Sequence, residues 1–202
     1  MLLLVGLGNP GEKYQKTRHN LGFVLVEQLG KELEAGPPSP RRLAGLRGVE
    51  EFKLNKKTKS LVARFRVKDS EVILAKPQTF MNLSGQSVRS LIDYFRVSVK
   101  DVVVVSDDSN LEVGEARVRF AGEAGGHKGL QSIIEAIGGD FWRVRVGIGS
   151  PPEKMPLEDY VLENFSPAQR AIIDKVIDEL ANKMVRWTSA DKFTNQTIKV
   201  EP

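Results

Sequence analysis

The chain has 202 residues, no cysteine, and 30 Lys+Arg against 26 Asp+Glu for a net charge of +4. That length supports a core without covalent staples and sets the expectation of one domain over residues 1–202. The missing thiols exclude disulfides, thiolate zinc sites and cysteine nucleophiles; no apolar run approaches the ~20 residues that span a bilayer; the mild basic bias permits a nucleic-acid partner without demanding one.

Leu2–Val5 is apolar at every position, which predicts a strand buried on both faces. No charged stretch precedes it, so it does not read as a signal peptide. A glycine-rich turn follows, then Tyr14, Arg18, His19 and Asn20. Leu21, Val24, Leu25, Leu29 and Leu33 recur at three and four, predicting an amphipathic helix over 20–34. GPPSPRR (36–42) cannot be helix interior and predicts a loop. KLNKKTK (53–59) reads as a solvated basic turn. Strands are predicted at 61–67, 71–75, 102–105, 116–120 and 143–148, and helices at 87–95 and 128–137. Ser166, Pro167 and Gln169 form a capping box, and Ile172, Ile173, Val176, Ile177, Leu180 and Met184 give the helix behind it an apolar face. Strands interleaved with helices along the whole length predict an α/β fold: one twisted mixed sheet surrounded by helices.

Gly6-x-Gly8-x-x-Gly11 after a strand matches the dinucleotide fingerprint. Pro10 sits inside the turn, however, and the helix begins near Asn20, so no helix N-terminus is poised for a pyrophosphate. The acidic residues some 20 positions on, Glu32 and Glu34, end a helix where the fingerprint needs a strand.

The chain holds two histidines, His19 and His127. His19 lies on a loop, where catalytic side chains concentrate. Asp107 follows the Val102–Val105 strand, at the end where α/β folds place their ligand crevice. A carboxylate bonded to one imidazole nitrogen fixes the tautomer and raises the basicity of the other. In KPQTFMNLSG (76–85), Met81 and Asn82 follow a strand. Asn82 either caps the next helix or, with Asn9, meets the amide of a peptide-like substrate. AGGHKGL (124–130) opens a helix whose N–H groups make an anion seat, and Lys128 in its first turn opposes the helix dipole. Arg117 and Arg119, then Arg143 and Arg145, alternate in two strands, so each pair shares a face. With Lys154 they could grip phosphates, or they could form a solvated sheet edge.

VGLGNPGEKYQKTRHNLGF, KPQTFMNLSG, VVVVSDD, AGGHKGL and RVRVGIG together resemble the bacterial peptidyl-tRNA hydrolase family, in order and spacing, over nearly the whole chain. The resemblance implies hydrolysis of the ester joining a peptide to the 3′ end of tRNA, without metal or cofactor, by a monomer in the cytoplasm that has no membrane partner. It implies that His19 is the general base and that Asp107 orients it. Asn9 and Asn82 would hold the substrate, with Tyr14 and Met81 lining the cleft and His127 supporting. Arg119, Arg145 and Lys154 would contact tRNA phosphate, with Arg117 and Arg143 beside them. Two features depart from the family pattern. Ser106-Asp107-Asp108-Ser109-Asn110 replaces a common His-Asp-Glu-Leu-Asp, and Lys128 stands where asparagine is common. We expect Lys128 to meet the 3′-terminal phosphate. A non-catalytic RNA-binding relative is the other class this sequence allows.

Overall fold

In the computed structural model, residues 1–35, 51–190 and 193–200 are described; the loop predicted at 36–42 lies outside them. The first elements are β1 (Leu2–Gly6), α1 (Leu21–Ala35), β2 (Lys53–Asn55), β3 (Ser60–Val67), β4 (Ser70–Pro77) and α2 (Ser84–Phe95). They are followed by β5 (Val102–Asp108), β6 (Glu115–Phe120), α3 (Lys128–Ile137), β7 (Trp142–Gly147), α4 (Leu157–Tyr160), α5 (Pro167–Ala190) and β8 (Gln196–Lys199). All eight described strands join one sheet in the order β2-β3-β4-β1-β5-β7-β6-β8. The four central strands run parallel; β3 and β6 flank them antiparallel, and β2 and β8 pair antiparallel with β3 and β6 at the two edges.

The wholly apolar strands are central because both of their faces are covered. Leu4, Leu74, Val103 and Val105 pack with α1 and α5 on one face. Leu3, Val5, Ile73, Val102 and Val104 pack with α2 and α3 on the other. The sheet therefore lies between two helical layers.

One edge strand differs from the sequence-based expectation, and a second falls where no element is predicted. Lys53–Asn55 pairs with β3, so only the rest of 53–59 is turn. Gln196–Lys199 pairs with β6 through a single buried apolar residue, Ile198. Neither segment carries enough apolar pattern to announce a strand; the partner edge creates both.

β1 and β5 are parallel neighbours, and the chain leaves β1 toward β4 on one side and β5 on the other. Such a switch point opens a crevice at the C-terminal strand ends. Close approach there depends on glycine. A Cβ on Gly22 would stand 2.3 Å from the Leu7 nitrogen and 2.5 Å from the Val105 carbonyl oxygen. Without a side chain at Gly22, the start of α1 lies against both strand ends and carries His19 and Asn20 into the crevice.

Candidate active site

The crevice is a cleft of about 730 Å³ lined by Asn9, His19, Met81, Asn82, Asp107, His127, Lys128 and Arg145, among others. His19 and Asp107, 88 residues apart in sequence, meet here: His19 Nδ1 lies 2.9 Å from Asp107 Oδ1 and 3.0 Å from Oδ2. Asp107 is 3% exposed. Burial pushes its carboxyl up, but His19 and then His127 outweigh burial and hold it well below the usual carboxylate range. An ionised Asp107 only accepts, so His19 Nδ1 carries a proton, and in the neutral imidazole Nε2 is then the nitrogen with the lone pair.

His127 is the second donor to Asp107. Its Nδ1 accepts from the Gly129 and Leu130 N–H groups at 3.1 and 3.2 Å, capping α3. Its proton must therefore sit on Nε2, which donates to Asp107 Oδ1 at 3.1 Å. His19, Asp107 and His127 are close enough to hold a metal ion, but the His127 nitrogen that faces the cluster has no lone pair to offer. The donor set does not fit a metal.

Asn9 is fixed from three directions. Its backbone N–H donates to Asn20 Oδ1 at 2.9 Å, and Asn20 Nδ2 donates back to the Asn9 carbonyl at 3.0 Å. Its own Oδ1 accepts from the Met81 N–H at 2.9 Å. A donor on that oxygen assigns the amide orientation, which leaves Asn9 Nδ2 as the group offered to the cleft. Asn82 lines the same cleft and is exposed, and its side chain makes no hydrogen bond among the described residues. It does not cap α2. Buried Met81 forms the floor, its sulfur packed so closely on Gly129 that a Cβ there would come within 2.5 Å.

The other wall is residues 156–162, including Leu157, Glu158 and Leu162. Arg18 anchors it: its guanidinium lies 4.0 Å from the Tyr160 ring centroid and 5.2 Å from that of Phe165, and Nη1 donates to the Tyr160 carbonyl at 3.2 Å. The His19 N–H donates to the Val161 carbonyl at 2.8 Å, so base and wall share a support. No residue of this wall is among the site residues expected from the sequence. The signal available was the Arg18-His19 dipeptide itself, an arginine beside the candidate base.

Other expected site residues divide. Tyr14 ends a one-turn helix (Glu12–Tyr14) and is absent from the cleft lining, its ring covered by Lys13. Register pairs Arg117 with Arg145 and Arg119 with Arg143, placing all four on the α3 face of the sheet. Arg145 reaches the cleft, 3.4 Å from Asp108. Arg117 and Arg119 are half-buried, and Arg119 is tied to the Val118 and Gln196 carbonyls. Arg143 is expected from the sequence beside the phosphate-contacting residues or on a solvated sheet edge, and its surroundings suit neither. It is 1% exposed and donates to the carbonyls of Gly122, Gly139 and Phe141 at 2.8, 3.2 and 3.1 Å. Burial first, and the Arg145 charge second, lower its pKa to about 10, so it stays charged at neutral pH and serves the fold. Lys154 is exposed outside the cleft lining. Lys128 is exposed at the cleft mouth, 3.6 Å from Glu158.

Comparison with known proteins agrees along the whole chain. The peptidyl-tRNA hydrolase family profile matches residues 3–201. A peptidyl-tRNA hydrolase of Aquifex aeolicus is 41% identical over 185 residues, covering 91% of this chain and 88% of the relative. One from Rhodopirellula baltica is 37% identical over 190 residues, 94% of this chain and 92% of the relative. Among solved structures, the Acinetobacter baumannii peptidyl-tRNA hydrolase superposes with a TM-score of 0.81 at 31% identity, over 95% of this chain and 89% of that one.

Proposed function

The chain belongs to the peptidyl-tRNA hydrolase family and is an enzyme of that class; from that premise we propose that water activated by His19 attacks the ester joining peptide to tRNA. The observation that carries this is the His19–Asp107 pair, which leaves the Nε2 lone pair facing a substrate-sized cleft. Nε2 takes a proton as the water oxygen bonds to the ester carbonyl carbon. Asp107 stabilises the imidazolium, and Asn9 Nδ2 donates to the oxyanion. The carbon–oxygen bond to the tRNA then breaks, and the proton on Nε2 passes to the departing ribose oxygen. The products are free tRNA and a peptide acid.

Arg145 and Lys128 would hold phosphates near the 3′ end, with Arg117, Arg119 and Lys154 farther out. Such contacts give affinity without sequence reading. We place this work in the cytoplasm, by a monomer; sedimentation at a dimer's mass would overturn the latter.

The test is release of tRNA from an N-acylated aminoacyl-tRNA, with unblocked aminoacyl-tRNA as control. His19→Ala is expected to lose roughly 10²–10⁴-fold in turnover while still binding tRNA. Full activity in that variant removes His19 from its role, and activity in neither form favours the non-catalytic alternative.

A further inference from the structure

Resting on the tRNA-substrate reading, we propose that the β2–β3 turn and the end of α2 form a second RNA-docking groove, remote from the arginine strands. The groove, about 380 Å³, is lined by Lys53, Leu54, Lys56, Lys57, Arg64 and Tyr94, among others. Lys53, Lys56, Lys57 and Lys59 are exposed, and none enters an ion pair among the described residues. Arg64 is held by Glu71.

Lysines on an edge strand are commonly a guard against edge pairing. Three observations go beyond that. First, the aromatic content is wrong for a mere guard. Tyr94 is 50% exposed and Leu54 57% exposed; Lys57 Nζ lies 5.9 Å from the Tyr94 centroid and the Arg64 guanidinium 5.9 Å from that of Phe95. Cations around an exposed aromatic ring such as Tyr94 are a composition that binds a nucleic-acid strand by phosphate contact and stacking.

Second, the turn is rigid. Asn55 Oδ1 accepts from the Lys57 and Thr58 N–H groups at 3.1 and 3.3 Å, and Ser87 Oγ of α2 donates to the Thr58 carbonyl at 2.6 Å. Thr58 and Ser60 are fully buried. Lys59 and Arg96 also occupy left-handed backbone, φ 49 and 55, where a side chain costs energy that glycine would avoid.

Third, the position fits one long ligand. Ser60 pairs with Pro77 at the end of β4 that lies beside the C-terminal end of β1, so the turn is at the active-site end of the sheet. Arg64 shares the sheet face of Val62, the face of α2 and α3 that also holds Arg117 and Arg145. Six strand steps separate β2 from β6, roughly 29 Å at about 4.8 Å a step. The cleft opens between the two basic regions. The occupant is the sugar-phosphate backbone of the substrate tRNA beyond its 3′ end, chosen on charge complementarity.

The experiment compares Lys56→Glu/Lys57→Glu, Tyr94→Ala and Arg145→Gln on two substrates: full-length N-acylated aminoacyl-tRNA, and the same ester on a CCA trinucleotide. The double charge reversal is expected to raise KM for the full-length substrate about tenfold with kcat unchanged, and to lower the salt slope of tRNA binding by about 1.5. Tyr94→Ala is expected to raise that KM about fivefold. Neither should alter the trinucleotide ester. Unchanged KM for the tRNA substrate overturns the groove, as does an equal loss on both substrates, which would place the effect in the cleft. If Arg145→Gln alone weakens tRNA binding, the groove is wrong while the arginine reading stands. Folding is controlled by thermal unfolding of each variant.

Discussion

His127 binds Asp107 through one ring nitrogen and caps α3 with the other. The glycine-rich loop before α3, the helix start and the carboxylate that orients His19 are thereby one hydrogen-bonded unit. His127 does two separable things. It satisfies two N–H groups at a helix start, and it supplies one of the donors that keep Asp107 ionised.

Replacement separates the two. His127→Ala is expected to lose about 1 kcal/mol of stability from the missing cap and also turnover, since Asp107 keeps only His19 as its donor. His127→Asn can cap α3 but is too short to present the same donor to Asp107. Its unfolding midpoint should approach the parent's while turnover stays low. Recovery of both together would mean that His127 acts through helix stability alone.

Asp107→Asn should lower turnover by roughly 10²–10⁴-fold, because an amide no longer dictates which His19 nitrogen carries the proton. The same carboxylate governs acid stability. Its pKa in the folded chain lies below the unfolded value of ~3.9. Its contribution is therefore complete above that unfolded value and is lost as pH falls through it toward the folded value. Urea unfolding between pH 6 and pH 3 should show parent stability falling in the lower part of this range, and Asp107→Asn should have a shallower acid limb by up to ~1.4 kcal/mol per pH unit. Parallel limbs would show that Asp107 is not the group being titrated.

Much of the site follows from strand-end logic. Leu2–Val5 and Val102–Val105 are apolar at every position, so both are central strands. Residues just past their C-terminal ends, Asn9 and Asp107, are then neighbours whatever the sequence separation. Depth and orientation are not legible in the same way. Period two correctly puts Arg143 beside Arg145 on one face, but burial of Arg143 depends on carbonyls from Gly122, Gly139 and Phe141 that only the folded loops bring together. The His127–Asp107 bond likewise depends on where α3 starts over β5, which no local pattern encodes. β8 carries no strand pattern of its own and forms on the edge that β6 offers.

The arginine face should accordingly split under mutation. Arg143→Met leaves three carbonyls without their donor, a loss on the order of 3 kcal/mol, which for a chain of this size moves the unfolding midpoint by about 2–4 °C per kcal/mol. Its residual folded fraction should bind tRNA with the parent's salt dependence, because the buried guanidinium reaches no phosphate. Arg145→Gln and Lys128→Asn should instead lower the salt dependence. Both side chains border the cleft, and Lys128 faces only an exposed partner, Glu158, a class of pair worth little. Lys128→Asn should stay within about 1 kcal/mol of the parent in stability, whereas Arg145→Gln should lose more because it leaves the buried Asp108 carboxylate without its partner; in both, the slope of log affinity against log salt falls by about 0.7–0.9 for each phosphate released. An unchanged slope in Lys128→Asn would remove that lysine from the terminal phosphate. A reduced slope in Arg143→Met would show that the backbone bonds of Arg143 do not hold it away from the RNA.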